Sequence, residues 1–254
     1  MTSSSSDNGG NEQPRDAAYW ARVTSTLRIS RVPTGALNLN VEGRQMIGPL
    51  QGFGQLWQKT YRVRLPNIAL TPAEVMRIWK ENFVHFQPSQ NRFYPVAVAG
   101  MVEPGDILLI NAQVSGMPVS TGVMVLYADD ESFTLMTPEG HPESGWNTFS
   151  TSIEDGCVVC QIQSLARAND PLYELGFRLF GATAQERIWE YVLTALAAHF
   201  EVNGQVQTFK TCVDPRVQLG QARNIWRNAA LWTVLYTLTA PLRWVGRLFS
   251  RRHR

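Results

Sequence analysis

The most constraining feature of this chain is the stretch from 96 to 166, where short apolar runs rich in β-branched residues follow one another with no helical segment between them. The runs are 96–102, 107–114, 119–127, 132–136, 148–153 and 157–165. Turn formers separate them: Pro104-Gly105-Asp106, Ser115-Gly116, Asp129-Asp130, a loop at 138–145, and Glu154-Asp155-Gly156. Parallel neighbours need a crossover of about a dozen residues or more, and these gaps are too short, so the spacing predicts an antiparallel meander.

The flanks complete an architecture. Between 56 and 65 the chain alternates, with Trp57, Lys59, Tyr61, Val63 and Leu65 on one strand face and Gln58, Thr60, Arg62 and Arg64 on the other. Thr71-Pro72-Ala73-Glu74 carries a helix start: Thr71 as N-cap, Pro72 in the first position and Glu74 placed for a capping box. Val75, Ile78, Trp79 and Phe83 follow at helical spacing and Pro88 ends the segment. A second helix is expected from about Thr183, with Ile188, Tyr191, Val192, Ala195, Leu196 and Phe200 on its apolar stripe. Strand, helix, many antiparallel strands and a long final helix describe an α+β fold in which a curved sheet wraps the last helix and encloses a cavity. Two short strands are also expected at 27–32 and 37–41, split by Pro33-Thr34-Gly35. The expected organisation is a polar leader at 1–16, an N-terminal extension at 17–50, the main domain at 51–203 and a C-terminal extension at 204–254.

The block from Gly122 to Leu196 resembles DUF 1990, a family grouped with the START and polyketide-cyclase-like (SRPBCC) helix-grip proteins. The resemblance rests on 123–129 leading into a strand, on Gly140-His141-Pro142-Glu143-Ser144-Gly145 and Phe149, on Arg167, and on the helix carrying Gln185, Glu186 and Arg187. It implies the helix-grip fold and a hydrophobic small molecule or lipid in the internal cavity. It supplies no activity to inherit.

Candidate site residues follow from chemistry. Trp57, Tyr61, Phe83 and Trp189 are expected on the cavity wall, and His141, Glu143 and Arg167 at its mouth. An imidazole flanked by Glu139 and Glu143 suits acid/base work of the cyclase or isomerase kind, ligand contact, or a rigid turn set by Gly140, Pro142 and Gly145. Arg167 ends the last strand of the meander, where it is placed to meet a ligand carboxylate or Glu143, whereas Arg62 and Arg64 are expected outward. Cys157 and Cys160 lie three apart on a strand, so their thiols diverge, and no second Cys/His pair completes a metal set. Gly52-Phe53-Gly54 is not a nucleotide loop, and neither a G-x-S-x-G nor an H-E-x-x-H motif occurs. No cofactor or metal is expected, and the surface reading of a protein-interaction domain stays open beside the ligand and enzyme readings.

From Pro215 onward come eight arginines and no carboxylate, on an otherwise acidic chain. An apolar run around Leu231, Trp232, Val234 and Leu235 precedes Arg243, Arg247 and Arg251, which share one helical face opposite Trp244, Val245, Leu248 and Phe249. That pattern fits an interfacial helix on an anionic membrane, with Trp232, Arg243, Trp244, Arg247, Leu248, Phe249 and Arg251 as contacts. The alternatives are packing on the domain, an oligomer contact through 225–249, and a span, which Pro241 and the short apolar length disfavour. Nucleic acid is not an expected partner, because the basic tail is apolar for its first half. Three cysteines and the absence of a basic start followed by an apolar run predict a cytoplasmic location, peripheral to the inner membrane face if the tail binds lipid.

Overall fold

The alternation at 56–65 forms β2 (Leu56–Leu65), whose Tyr61, Val63 and Leu65 are fully buried while Arg64 is exposed. The computed structural model describes residues 17–22, 26–97, 102–114 and 116–241, without the side chains of 180–184. A two-residue β1 (Met46–Ile47) precedes β2. Helix α1 (Pro72–Glu81) begins as expected: Thr71 Oγ1 accepts from Glu74 N at 3.3 Å, and Glu74 returns a carboxylate to Thr71 N at 2.7 Å.

The meander then runs through β3 (Asn91–Pro95), β4 (Ile107–Val114), β5 (Met117–Ala128), β6 (Ser132–Pro138), β7 (Glu143–Glu154) and β8 (Cys157–Ala168). After it come α2 (Pro171–Gly176), a π-turn (Phe177–Gly181), α3 (Ala182–His199), β9 (Gln207–Asp214) and α4 (Ala229–Leu238). The strands form one antiparallel sheet ordered β3-β4-β5-β6-β7-β8-β2-β9, with β1 attached to β6. Its inner face holds α1 and α3, the helix-grip arrangement.

Three expectations about elements need correction. Of the strand expected at 96–102, residues 98–101 lie outside the described residues and 96–97 are not strand; the strand before β4 is β3 at Asn91–Pro95, whose polar and aromatic residues hide the β pattern. Residues 27–32 and 37–41 form no strands; Leu27 and Val41 instead pack with Leu109 and Met124 on the outer face of the sheet. Lastly, the sheet does not end before residue 203, because β9 pairs with β2 along its length.

The inner core is aromatic at one end. Phe133 and Phe149 stack at 4.4 Å, and Trp79 and Phe83 meet Phe149 edge-on at 5.5 Å. Such edge-to-face and stacked pairs add about 0.5–1.5 kcal/mol each beyond area burial. From α3, Trp189, Val192, Leu193, Leu196 and Ala197 close on the same core. The interior is closely packed at this end, and the larger cavities between α3 and the sheet lie toward the other.

Helix α4 lies on the outer face, against β5. Small residues allow the close approach: Ala229, Ala230 and Thr233 are buried, and Thr233 Oγ1 accepts from Ser120 N at 2.9 Å. The domain-packing expectation therefore holds for 229–238. Its larger apolar residues face away: Leu231 is 46% exposed, Trp232 48%, Leu235 50% and Leu238 73%. Arg243, Trp244, Arg247, Leu248, Phe249 and Arg251 lie outside the described residues, as does the leader at 1–16.

Candidate functional site

The loop between β6 and β7 is built as a turn. Gly140 sits at φ +86°, a left-handed backbone that side chains disfavour, and His141 N bonds back to Pro138 O at 3.2 Å. Outside the sheet, Gly140 O accepts from Ala229 N at 2.9 Å, so the loop also seats α4. Pro142 O accepts from Asn169 N at 3.0 Å, which ties the far side of the loop to the end of β8.

Alternation along the strands then decides which side chains turn inward. On β7 the inward set includes Glu143, Asn147 and Phe149; on β5 it includes Val119, Thr121 and Val123. These face Phe177, Gln185, Ile188 and Trp189 across a cavity of about 120 Å³ that His141, Asn91 and Val114 also line. A second cavity of about 330 Å³ lies beside it, walled by Trp57, Lys59, Ser164, Ala166, Glu186 and Lys210. Glu143, Phe177 and Gln185 border both.

The partition between them is a polar chain. Lys59 Nζ donates to Gln185 Oε1 at 2.6 Å, and Gln185 Nε2 donates to Glu143 Oε2 at 2.6 Å. It joins β2, α3 and β7 through one amide. Burial raises the proton affinity of the Glu143 carboxyl, against the opposing pull of Lys59 and the Gln185 hydrogen bond. A carboxyl in that position can hold a proton beside a bound molecule.

His141 lines the first cavity, but it does not form the acid/base pair that the sequence allowed. Its Nδ1 lies 3.0 Å from both the amide nitrogen and the carbonyl oxygen of Glu143, so backbone engages that atom in either tautomer. Burial lowers its pKa to about 4, so the ring is neutral at ordinary pH. The Glu143 carboxylate goes to Gln185 instead.

Of the other expected residues, Trp189 lies on the first wall and Trp57 on the second. Tyr61 and Phe83 belong to the packed core and line neither of these two cavities. The Tyr61 hydroxyl is buried without a partner, and burial followed by the charge of Glu143 holds its proton more tightly than usual. Arg167, expected at the cavity mouth, borders the second cavity, but its guanidinium is taken by acceptors of the protein itself. Val158, Cys160 and Ile162 turn to the core, so Arg167, in opposite phase on β8, turns outward although it borders the second cavity. Its guanidinium donates to Gly54 O at 2.8 Å, Arg216 O at 2.9 Å and Asp214 Oδ2 at 2.7 Å, and it is 2% exposed. Arg167 clamps three chain segments on the outer face and does not reach Glu143.

Sequence reasoning missed Thr121, Asn147 and Gln185. Thr121 Oγ1, Asn147 Oδ1 and Trp189 Nε1 are buried on the first wall with no hydrogen-bond partner. Asn147, two residues before the core residue Phe149, was a polar residue in inward phase, which is the signal that could have found it. Cys157 and Cys160 do turn to opposite faces, and burial pushes the Cys160 thiol up to about 12, away from thiolate chemistry. Among the described residues no group of three or more His, Cys, Asp or Glu side chains could hold a metal ion.

Comparison with solved structures finds similar chain paths at low identity. The di-domain ARO/CYC StfQ from the steffimycin biosynthetic pathway is 9% identical with a TM-score of 0.45, covering 58% of this chain and 51% of that one. A START superfamily protein from Mycobacterium smegmatis is 16% identical at a TM-score of 0.38, covering 58% and 98%. Major latex-like protein 151 from Panax ginseng is 12% identical at 0.37, covering 57% and 98%. No curated protein matches. Residues 59–195, more than half of the sequence, match DUF1990, described as a domain of unknown function, and the chain belongs to that family.

Proposed function

We propose that this protein is a binding module that takes a hydrophobic small molecule into the cavity between α3 and the curved sheet. One observation carries the reading: a cavity of about 120 Å³ whose wall is mostly apolar, with Glu143 and Gln185 hydrogen-bonded to each other at its border. Ligand pockets combine an apolar wall with a few polar groups. Native mass spectrometry of the full chain, followed by solvent extraction, tests it. A stoichiometric small-molecule adduct is the expected result. A bare polypeptide that also fails to take up toluene in an NMR titration refutes the proposal.

A second observation favours a membrane-surface location. The outward face of α4, together with Trp226 at 79% exposure, is an apolar patch, and residues 242–254 add five more arginines to the chain after it. Among the described residues no helix is long and apolar enough to cross a membrane. The pattern suits shallow insertion of Leu and Trp side chains with arginine attraction to anionic lipid, about 1 kcal/mol per residue near the surface. Co-sedimentation of the full chain with phosphatidylserine-containing vesicles at low salt is the test; equal sedimentation with neutral vesicles removes the electrostatic part.

A further inference from the structure

We infer that the second cavity binds the carboxylate of a small organic acid, held by Lys59 and Ser164. The inference goes beyond the apolar-cavity reading and does not depend on it, because Lys59, Ser164 and Lys210 line the second cavity and not the first.

Strand register carries the geometry. Lys59 on β2 stands directly opposite Ser164 on β8 and directly opposite Lys210 on β9. Lys59 is in phase with Tyr61, Val63 and Leu65, and Ser164 with Cys160 and Ile162, so the row crosses the inner face of the sheet. Directly opposed side chains on one face have Cβ atoms about 4.5–5.5 Å apart, so an ammonium and a hydroxyl there can reach one group.

Charge says what that group is. Like charges directly opposite each other destabilise a sheet, so the paired lysines need anions. Lys210 has one, since its Nζ lies 2.6 Å from Glu186 Oε1. Arg178 pairs with Glu174 at 2.7 Å, and Arg167 is taken by Asp214 and two carbonyls. Among the described residues no carboxylate bonds Lys59. One of its three donors goes to the neutral Gln185 amide, and no other hydrogen bond engages it. Beyond that amide, burial raises the proton affinity of Glu143 against the pull of Lys59, so compensation from that side is incomplete.

Ser164 supplies the second contact. It is 2% exposed, and its hydroxyl has no partner in the protein but, unlike that of Thr121, is not sealed from the cavity it lines. A carboxylate offers one oxygen to a Lys59 N–H and the other to the Ser164 O–H. An ammonium would meet two lysines, and an alcohol leaves the Lys59 charge unanswered. The space is about 330 Å³, and about 150 Å³ admits benzene, so a ring on a short chain fits against Trp57, Ala166 and Phe177.

The test is calorimetric titration of the full chain at pH 7 with 3-phenylpropanoate, 3-phenylpropanol and 3-phenylpropylamine, which share a body and differ in head group. The acid should bind at least about tenfold more tightly than the alcohol, and the amine most weakly. In Lys59→Met the acid should lose at least about tenfold in affinity while the alcohol changes by less than about twofold. Ser164→Ala should cost the acid about fivefold. The ranking in the unmodified chain and the Ser164→Ala result decide the matter if Lys59→Met fails to fold. Acid affinity unchanged in folded Lys59→Met, as it would be if the C-terminal arginines held the acid, overturns the inference. So does an alcohol or amine that binds as tightly as the acid, or an acid that does not bind. Toluene uptake reports the first cavity separately, so either reading can fail while the other stands.

Discussion

Asn228 holds α4 to the rest of the molecule through two bonds of different kinds, and they can be separated. Its Oδ1 caps α4 by accepting from Leu231 N at 3.0 Å. Its Nδ2 donates to Asp170 Oδ2 at 2.9 Å, while Asp170 Oδ1 caps α2 through Leu172 N and Tyr173 N. Both residues are completely buried. Asn228→Ser keeps a cap of similar quality and loses the bond to Asp170, leaving a buried carboxylate oxygen unpaired at a cost of about 1–3 kcal/mol. Asn228→Ala loses both, adding about 1 kcal/mol for the cap. The predicted order is wild type, then Ser, then Ala, with Ala about 2–4 kcal/mol below wild type.

Equilibrium urea unfolding of the three proteins measures these differences, and hydrogen exchange at 229–238 shows whether α4 opens before the sheet. Burial already raises the Asp170 pKa, and the Asn228 bond opposes that rise, so both variants should raise it further. Carboxyl-resolved NMR titration reads that shift. A Ser variant as stable as wild type would refute the reasoning, because the Asp170–Asn228 bond would then contribute nothing. Equal loss in Ser and Ala would instead show that the cap contributes nothing.

Other expected outcomes follow from single features. Gly140→Ala should destabilise the protein by about 2 kcal/mol or more in the same unfolding assay, since the residue is left-handed and an added Cβ would press into the Arg227 carbonyl oxygen. Because the folded-state pKa of His141 lies near 4 against 6.5 unfolded, the unfolded chain binds the extra proton between those values. Stability should therefore fall as pH drops from 6.5 toward 4, by up to about 1.4 kcal/mol per unit from this group, and His141→Gln should flatten that slope. The paired change Leu231→Glu and Leu235→Glu places charge on the exposed α4 face without touching its buried side. It should abolish sedimentation with anionic vesicles while leaving the unfolding midpoint within about 0.5 kcal/mol; unchanged sedimentation would show that this face does not contact lipid.

How much of this was readable beforehand depends on what each residue packs against. Strands β4 to β8 and α1 were legible because their apolar residues meet a continuous core, which imposes period two and period 3.6 on the sequence. Strand β9 has no such pattern. Its Phe209 and Val213 are more than half exposed, while Thr208 and Lys210 turn to Glu190 and Glu186 of α3. An edge strand whose inner face meets carboxylates selects polar residues, so hydrophobic alternation is inverted and does not mark the strand.

Arg167 is the opposite case, since its direction was available and was overridden. Counting from Cys160 and Ile162 in the core, residue 167 falls in outward phase. Placing it at a cavity mouth rests on its position at the end of the last strand of the meander, and leaves its phase out. A buried guanidinium needs acceptors, and distant chain can supply them as well as a ligand can. Here the carbonyls of Gly54 and Arg216 and the carboxylate of Asp214 do so, two of them from beyond the expected domain boundary at 203. The acceptors at 214 and 216 lie at the end of β9 and just after it, in the C-terminal extension to which the sequence pattern assigns no strand.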